Sequence, residues 1–218
     1  MASYKVGIKT RAKIIKTVKR LFYEKGYNAV SVTEVCKVAD IKLGTFTYHF
    51  KTKDQLTQCV YQDYMQKIWD YTDSILHTTD AAELHIHAIS LYYFNIYNDP
   101  NITAFHTEIF QSLSMNDILE NTDELCRCFG DPNDPVIADD HSFHNLVIAD
   151  NGCRRELNLR FMANHPRPRL DDIMELIRDV YSVTGRLFCF PLDRLEAYIS
   201  NSRQFLLEHL DSNLRLIP

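Results

Sequence analysis

Between Ser31 and Leu56 the chain reads SVTEVCKVADIKLGTFTYHFKTKDQL, with hydroxyls, a phenol, an imidazole and lysines at positions a helix would leave in solvent. Such groups donate to phosphate oxygens and to base edges. The spacing predicts a short helix, a tight turn, a second short helix and the start of a third. That is a helix-turn-helix suited to duplex DNA. Ser31, Thr33 and Lys37 are the candidate contacts on the first of these helices; Lys42, Leu43, Thr45, Thr47, Tyr48 and His49 are those of the second. Lys42, at its opening, is the candidate for reading guanine. Thr45 and Thr47 offer short hydroxyls to phosphate or base. Lys53 opens the third helix, where its ammonium and the free helix-end amides can converge on one phosphate. Thr33 and Lys37 suit the backbone, although Lys37 reads equally well as a solvated lysine. Phe46 and Phe50 are core anchors with no expected DNA role.

Charge divides the chain at the same place. Residues 1–56 hold twelve Lys and Arg against four Asp and Glu, a balance of +8. The remaining residues hold twelve against twenty-five, −13, so the overall −5 hides a basic head on an acidic body. A polyanion-binding head accounts for this asymmetry better than chance clustering does. The 218 residues suit one or two domains. The N-terminus MASYKVGIKTRAK lacks an apolar run, and no later stretch reads as long enough to span a bilayer, so a cytoplasmic protein is expected. The six cysteines form no framework and read as reduced thiols.

Residues 8–25 read as a first helix, with Ile14, Val18 and Leu21 on one stripe, widened by Ile15 and Phe22, and Gly26 as its left-handed cap. Ser31-x-x-Glu34 and Thr52-x-x-Gln55 read as capping boxes. Between them, Val32, Val35, Cys36 and Ala39 form a buried side, Asp40-Ile41 turns, and Lys42 to Phe50 form the recognition helix. Leu56, Val60, Tyr64, Ile68, Tyr71 and Ile75 predict a long helix, and Tyr61, Met65, Trp69 and Leu76 give it a second apolar face. Burial on two sides suits a helix that joins domains. Asp80 opens a helix that is apolar almost all round and is stopped by Asp99-Pro100. Residues 101–129 read as less regular helix, 131–140 as loop, and 141–163 as a helix that Asn151-Gly152 could break. Asp171–Leu187 and a helix starting at Pro191 complete the chain. Strand alternation and internal repeats are absent, so the expected fold is all-α. Residues 1–56 form the helix-turn-helix domain and 57–218 a helical body.

The N-terminal third resembles the DNA-binding domain of the TetR/AcrR family of transcriptional regulators. The resemblance rests on Leu21-Phe22-x-x-Lys25-Gly26-Tyr27, Ser31-Val32-x-x-Val35 and Gly44-Thr45-Phe46-x-Tyr48-His49-Phe50-x-x-Lys53-Asp54-x-Leu56. It covers about residues 9–56. It implies that Tyr48 and His49 contact the DNA backbone. Gly44 is expected to let the recognition helix pack closely on its neighbours. Three positions depart from the family pattern: Asp40 stands at a turn glycine, Lys42 at a capping Ser or Thr, and Thr47 at a frequent aromatic. Asp tolerates left-handed backbone. The cap is expected to be weak or supplied by Asp40.

The resemblance further implies a body that binds a small-molecule effector and dimerises. Tyr64, Trp69, Tyr93, Tyr97, Phe105 and Phe110 are the candidate effector contacts, in competition with an ordinary aromatic core. His85, His87 and His106 could orient a ligand or simply be core. Ile177, Val180, Leu195, Ile199 and Leu206 on the last two helices are the candidate dimer interface, in competition with packing inside one subunit. The expected function is a sequence-specific DNA-binding regulator: a repressor released from a palindromic operator by its effector. An activator or a ligand-independent regulator is the alternative. Asp139, Asp140, His141 and His144 have helical metal-ligand spacing without a third ligand to complete it, so no metal and no cofactor are expected. No nucleophile–base pair, phosphate loop or Gly-rich turn suggests an enzyme. An all-α metal-binding protein, or a protein-interaction module with a basic head, are the readings from other classes.

Overall fold

The computed structural model describes residues 2–113, 115–118, 122–209, 214 and 216. Among them every regular element is a helix, and none is long and apolar enough to cross a membrane. The head consists of α1 (Ala2–Lys25), α2 (Val32–Val38), α3 (Leu43–His49) and the start of α4 (Lys53–Leu76). Its core is Ile14, Val18, Leu21, Phe22, Val35, Phe46, Phe50 and Leu56. The first helix starts six residues earlier than its apolar stripe suggested. Gly26 ends it at φ +79, the left-handed backbone that glycine adopts without steric cost.

α4 buries Leu56, Val60, Tyr64 and Ile68 together with Tyr61 and Met65, so both its apolar faces are covered and it passes through position 56 without a break. The body follows as α5 (Ala81–Tyr97), α6 (Pro100–Ser112), α7 (Met115–Ile118), α8 (Thr122–Cys126) with a 3-10 turn at Arg127–Phe129, α9 (Pro135–Ala138), α10 (Asp140–Asn164), α11 (Leu170–Leu187) and α12 (Leu192–Glu208). Within the irregular 101–129 stretch, residues 114 and 119–121 lie outside the described residues. Asp99 does more than stop α5: its carboxylate accepts from the amides of Asn101 and Ile102 and so opens α6, with Pro100 at the first helical position. The 131–140 segment holds a single helical turn. Asn151-Gly152 does not break α10, because the flanking turns are packed and a Cβ at Gly152 would meet nothing within 4 Å. One helical glycine costs about 1 kcal/mol, too little to interrupt 25 packed residues.

α5 is central, as its composition required, and α4, α11 and α12 pack around it. Beside it lies a buried polar cluster. Arg154 donates through Nε to Asp150 at 2.5 Å and through Nη2 to the Thr184 hydroxyl at 2.7 Å, and Thr184 donates to the other oxygen of Asp150 at 2.6 Å. Mutual satisfaction is what allows a buried charge pair here.

The expected dimer face is corrected. Ile177, Val180, Leu195, Ile199 and Leu206 are 0–3% exposed in a single chain, packed within the subunit. The heptad-like spacing reported the α5–α11–α12 seam and not a surface. Across the outside of α11 and α12 run ion pairs, Arg178–Glu196 and Arg203–Asp171.

Head and body meet through α1 and α6. The Phe22 and Phe105 rings stack at 4.9 Å between centroids. The Tyr23 hydroxyl donates to Asp99 at 3.2 Å, and the Asn28 amide donates to Glu108 at 2.7 Å. A Cβ at Gly26 would stand 2.8 Å from the Glu108 carboxylate, so the loop after α1 needs glycine both for its φ and for this approach.

Candidate nucleic-acid interface

The two short helices of the head are held by backbone as much as by side chains. The Ser31 hydroxyl accepts from the Glu34 amide at 3.2 Å and starts α2. The reciprocal half of that capping box is replaced: the Glu34 carboxylate takes Lys25 at 2.5 Å, tying α2 to the end of α1 and raising the Lys25 pKa. Asp40 sits at φ +48, so the turn adopts the left-handed backbone without glycine, and the Ile41 amide returns to the Cys36 carbonyl at 3.0 Å. No side chain caps α3; neither Lys42 nor Asp40 supplies that bond. At α4 the Thr52 hydroxyl accepts from the Gln55 amide at 3.0 Å, while the Gln55 side chain takes the Lys51 amide at 2.7 Å, one residue earlier than the box pattern implied.

Phe46 and Phe50 pin α3 to the core at 1% exposure each, and this fixes what its other side presents. Lys42, Thr47 and Tyr48 are exposed, with Leu43 at 58% and Tyr48 at 80%; Thr45 and His49 are half-buried. Tyr48 is braced edge-on against the His49 ring at 5.0 Å, which holds a large aromatic in solvent instead of letting it fold onto the surface. The Thr47 hydroxyl donates back to the Gly44 carbonyl at 3.2 Å and keeps its oxygen as an acceptor. Ser31, Thr33 and Lys37 are exposed on α2. The head therefore gathers nine of the ten candidate contacts on its exposed or half-exposed surface with side chains that can turn outward.

Lys53 is the exception. Its ammonium turns inward, donating to the carbonyls of Tyr27 at 2.9 Å and Val30 at 3.1 Å, and lies 3.8 Å from the centre of the Tyr27 ring. Burial lowers its pKa. The Tyr27 hydroxyl in turn donates to Asp54. Lys53 thus braces the loop between α1 and α2. Gly44 also departs from expectation: a Cβ there would meet nothing within 4 Å, so this glycine faces open space and is not a packing contact between helices.

Residues outside the motif adjoin this surface. A Cβ at Gly7 would stand 4.0 Å from the His49 ring, so this part of α1 flanks the recognition helix. Arg11 lies 5.2 Å from the Phe50 ring centre and donates to the Cys59 sulfur at 3.3 Å. Within the motif itself, Lys51 is also exposed, just before α4. The basic N-terminal composition was the signal for them, but their contacts are long-range and leave no spacing pattern.

In the body, five of the six candidate effector contacts (Tyr64, Tyr93, Tyr97, Phe105 and Phe110) are buried, and Trp69 is half-buried. They make ring pairs: Tyr93 on Tyr97 at 5.9 Å, Tyr64 with Tyr92 at 6.0 Å, Trp69 edge-on to His85 at 5.3 Å. Two open surface cavities, of about 610 Å³ beside Gln55 and Leu113 and about 320 Å³ beside Cys128 and Arg194, involve none of the six. The possible metal cluster is dispersed. His144 binds Asp123 at 2.9 Å, Asp140 binds Arg127 at 2.6 Å, and Asp139 caps α10. Among the described residues no three His, Cys, Asp or Glu side chains converge.

Residues 14–58 match the family of bacterial regulatory proteins described as the tetR family. The HTH-type transcriptional regulator QacR of Staphylococcus aureus is 30% identical over 112 residues, covering 48% of this chain and 58% of that protein. The Transposon Tn10 TetC protein of Escherichia coli is 37% identical over 62 residues, covering 28% and 32%. The chain therefore spans little more than half, or less, of the curated relatives it matches. Over 84% of this chain and 96% of the other, the fold is that of RolR solved with the ligand resorcinol, at a TM-score of 0.50 and 16% identity.

Proposed function

We infer that this chain, whose residues 14–58 match the tetR family of bacterial regulatory proteins, is a sequence-specific DNA-binding transcriptional regulator. The observation that carries the reading is α3. Two buried phenylalanines fix it, and it holds Tyr48 four-fifths exposed beside Lys42, Leu43 and Thr47. Single exposed apolar residues are ordinary, but here Leu43 and Tyr48 share the outward side of one short helix with Lys42 and Thr47, a mix that suits base edges and phosphates together. In this reading Lys42 and Thr45 address base edges, Leu43 meets apolar edges such as thymine methyls, and Tyr48, His49, Thr47, Thr33, Ser31 and Lys37 hold phosphates. Lys53 acts indirectly, by fixing the loop that sets α2.

The protein acts as a homodimer on a palindromic operator, with the two recognition helices one DNA turn apart, about 34–36 Å. It represses by occupancy, and a small-molecule effector in the body shifts the population toward heads that no longer match that spacing. Support for the coupling is the α1–α6 joint at Phe22, Tyr23 and Asn28, which leaves the head no freedom to ignore α6. Activation instead of repression uses the same geometry and differs only in operator position.

The test is selection of bound sequences from random duplex DNA by the purified chain, repeated with Tyr48→Ala/Lys42→Ala. A two-fold symmetric consensus that the variant loses is the expected result. Binding that shows no sequence preference and merely fades with salt would refute it.

A further inference from the structure

His106 stands in the middle of α6 with no exposed surface, and its two ring nitrogens differ in their surroundings. Nδ1 lies 2.8 Å from the Tyr61 hydroxyl, while Nε2 is buried without a hydrogen-bond partner. Aromatic rings close around it: Phe110 at 4.2 Å between centroids, Tyr92 at 5.9 Å, Tyr61 at 6.0 Å and Tyr97 at 6.2 Å. The tautomer follows from the Tyr61 proton. Among the described residues His106 Nδ1 is the acceptor that hydroxyl has, so Tyr61 donates. Burial pushes His106 down to about 3, so the imidazole is neutral and its single proton sits on Nε2. An N–H donor therefore points into an apolar box with nothing to accept it. A buried unmade hydrogen bond is costly, and phenylalanine would fill the same space without that cost.

We propose that this box is the ligand site of the body, and that its ligand is an uncharged aromatic compound whose oxygen accepts from His106 Nε2. The inference rests on the regulator reading for its purpose, though the site itself does not depend on it. Ring faces and edges make the walls, which favours an aromatic guest over an aliphatic one. An anionic guest finds no matching charge, since among the described residues the buried Arg154 is already matched by Asp150, and a cationic guest would meet the positive end of the His106 Nε2–H. All four rings stand within 6.2 Å of the imidazole, so a guest enters by widening the gap between α4, α5 and α6, selecting a more open state of the same packing.

The site also has a direct route to the head. α6 turns His106 toward the box and, one residue before and two after, turns Phe105 onto Phe22 and Glu108 onto the Asn28 amide. A guest that displaces α6 from α4 displaces both contacts with the head.

The experiment uses the full chain labelled with 15N-histidine, titrated with anisole, phenol, benzene and benzoate. Binding is read by the His106 ring-nitrogen signals and by thermal shift. Anisole and phenol should bind about tenfold more tightly than benzene, the usual contribution of one net hydrogen bond, and should move the Nε2 signal; benzoate should not bind. Tyr61→Phe/His106→Phe removes both members of the polar pair, so no orphan is created and the core stays filled. That variant should bind anisole and benzene equally. A preference for anisole that survives in the double variant overturns the proposal, as does a preference for benzoate or the absence of binding by every probe. Operator selection with no probe binding would sink this site alone. Probe binding at His106 without operator selection would sink the regulator reading and leave the site standing.

Discussion

Lys53→Met separates what the structure says of this residue from what its position in the motif suggests. Methionine keeps an unbranched apolar stem and deletes the ammonium. The deletion removes donors 2.9 and 3.1 Å from the Tyr27 and Val30 carbonyls and a cation 3.8 Å from the Tyr27 ring. Hydrogen bonds to charged groups contribute roughly 1.5–3 kcal/mol each, and an accessible cation–π contact about 0.5–1. The desolvation that lowers the Lys53 pKa offsets part of this, and solvent screens the half-exposed group further. A loss of about 2 kcal/mol on unfolding is expected. A phosphate-binding lysine behaves otherwise: its loss flattens the dependence of log affinity on log salt by about 0.9 and leaves stability alone. Lys42→Ala is the internal standard for that behaviour. Urea unfolding measures the first quantity; fluorescence anisotropy on the selected operator across a salt series measures the second. Stability unchanged within about 0.5 kcal/mol, with a slope reduced as far as in Lys42→Ala, would refute the bracing role.

Other predictions follow from single contacts. Gly44→Ala should stabilise α3 by about 0.5 kcal/mol, because the new Cβ meets no neighbour, and should weaken operator binding because it faces the DNA side; tighter binding in the same anisotropy assay would remove Gly44 from the interface. Ile199→Ala should cost about 2–5 kcal/mol by differential scanning calorimetry while leaving the sedimentation coefficient as in wild type, since the residue is wholly buried within one chain. His85 and His106 are both held neutral by burial, pushed down to about 3, whereas the unfolded chain protonates them near the ordinary value of about 6.5. Stability is therefore full above pH ~6.5 and falls as the pH drops, by about 1.4 kcal/mol per pH unit for each group. Tyr61→Phe/His106→Phe should show a shallower loss than wild type between about pH 6 and pH 4, by one such increment per unit; parallel curves would contradict a neutral buried His106.

Local chemistry was legible in the sequence and distance across the chain was not. Ser31, Thr52 and Asp80 announce their helix starts because a cap is settled within three residues, and all three accept the amides their spacing implies. Gly26 and Asp40 likewise declare left-handed positions. The Lys53 ammonium looked available because its acceptors, the Tyr27 and Val30 carbonyls, carry no residue-type signal. The stripe through Ile177, Val180, Leu195 and Ile199 correctly reported burial, but periodicity cannot say whether the covering surface belongs to the same chain. Here α5 covers it. The head–body joint was invisible for the same reason: a glutamate at 108 gives no sign that it will meet an amide eighty residues earlier.

The unbroken passage of α4 along a hydrophobic core that head and body share has a consequence for how such proteins can be recombined. A chimera joined at residue 56 would graft a head onto a body inside the first turn of a helix whose two sides are already buried, and would separate Phe22 from Phe105 and Asn28 from Glu108. Exchange of DNA specificity between relatives is expected to succeed when the crossover carries the matching surface of α6 along with the head, or when only the outward positions of α3 are transplanted. The expected unit of exchange is therefore the head together with its matching face of α6, or the outward face of α3 alone.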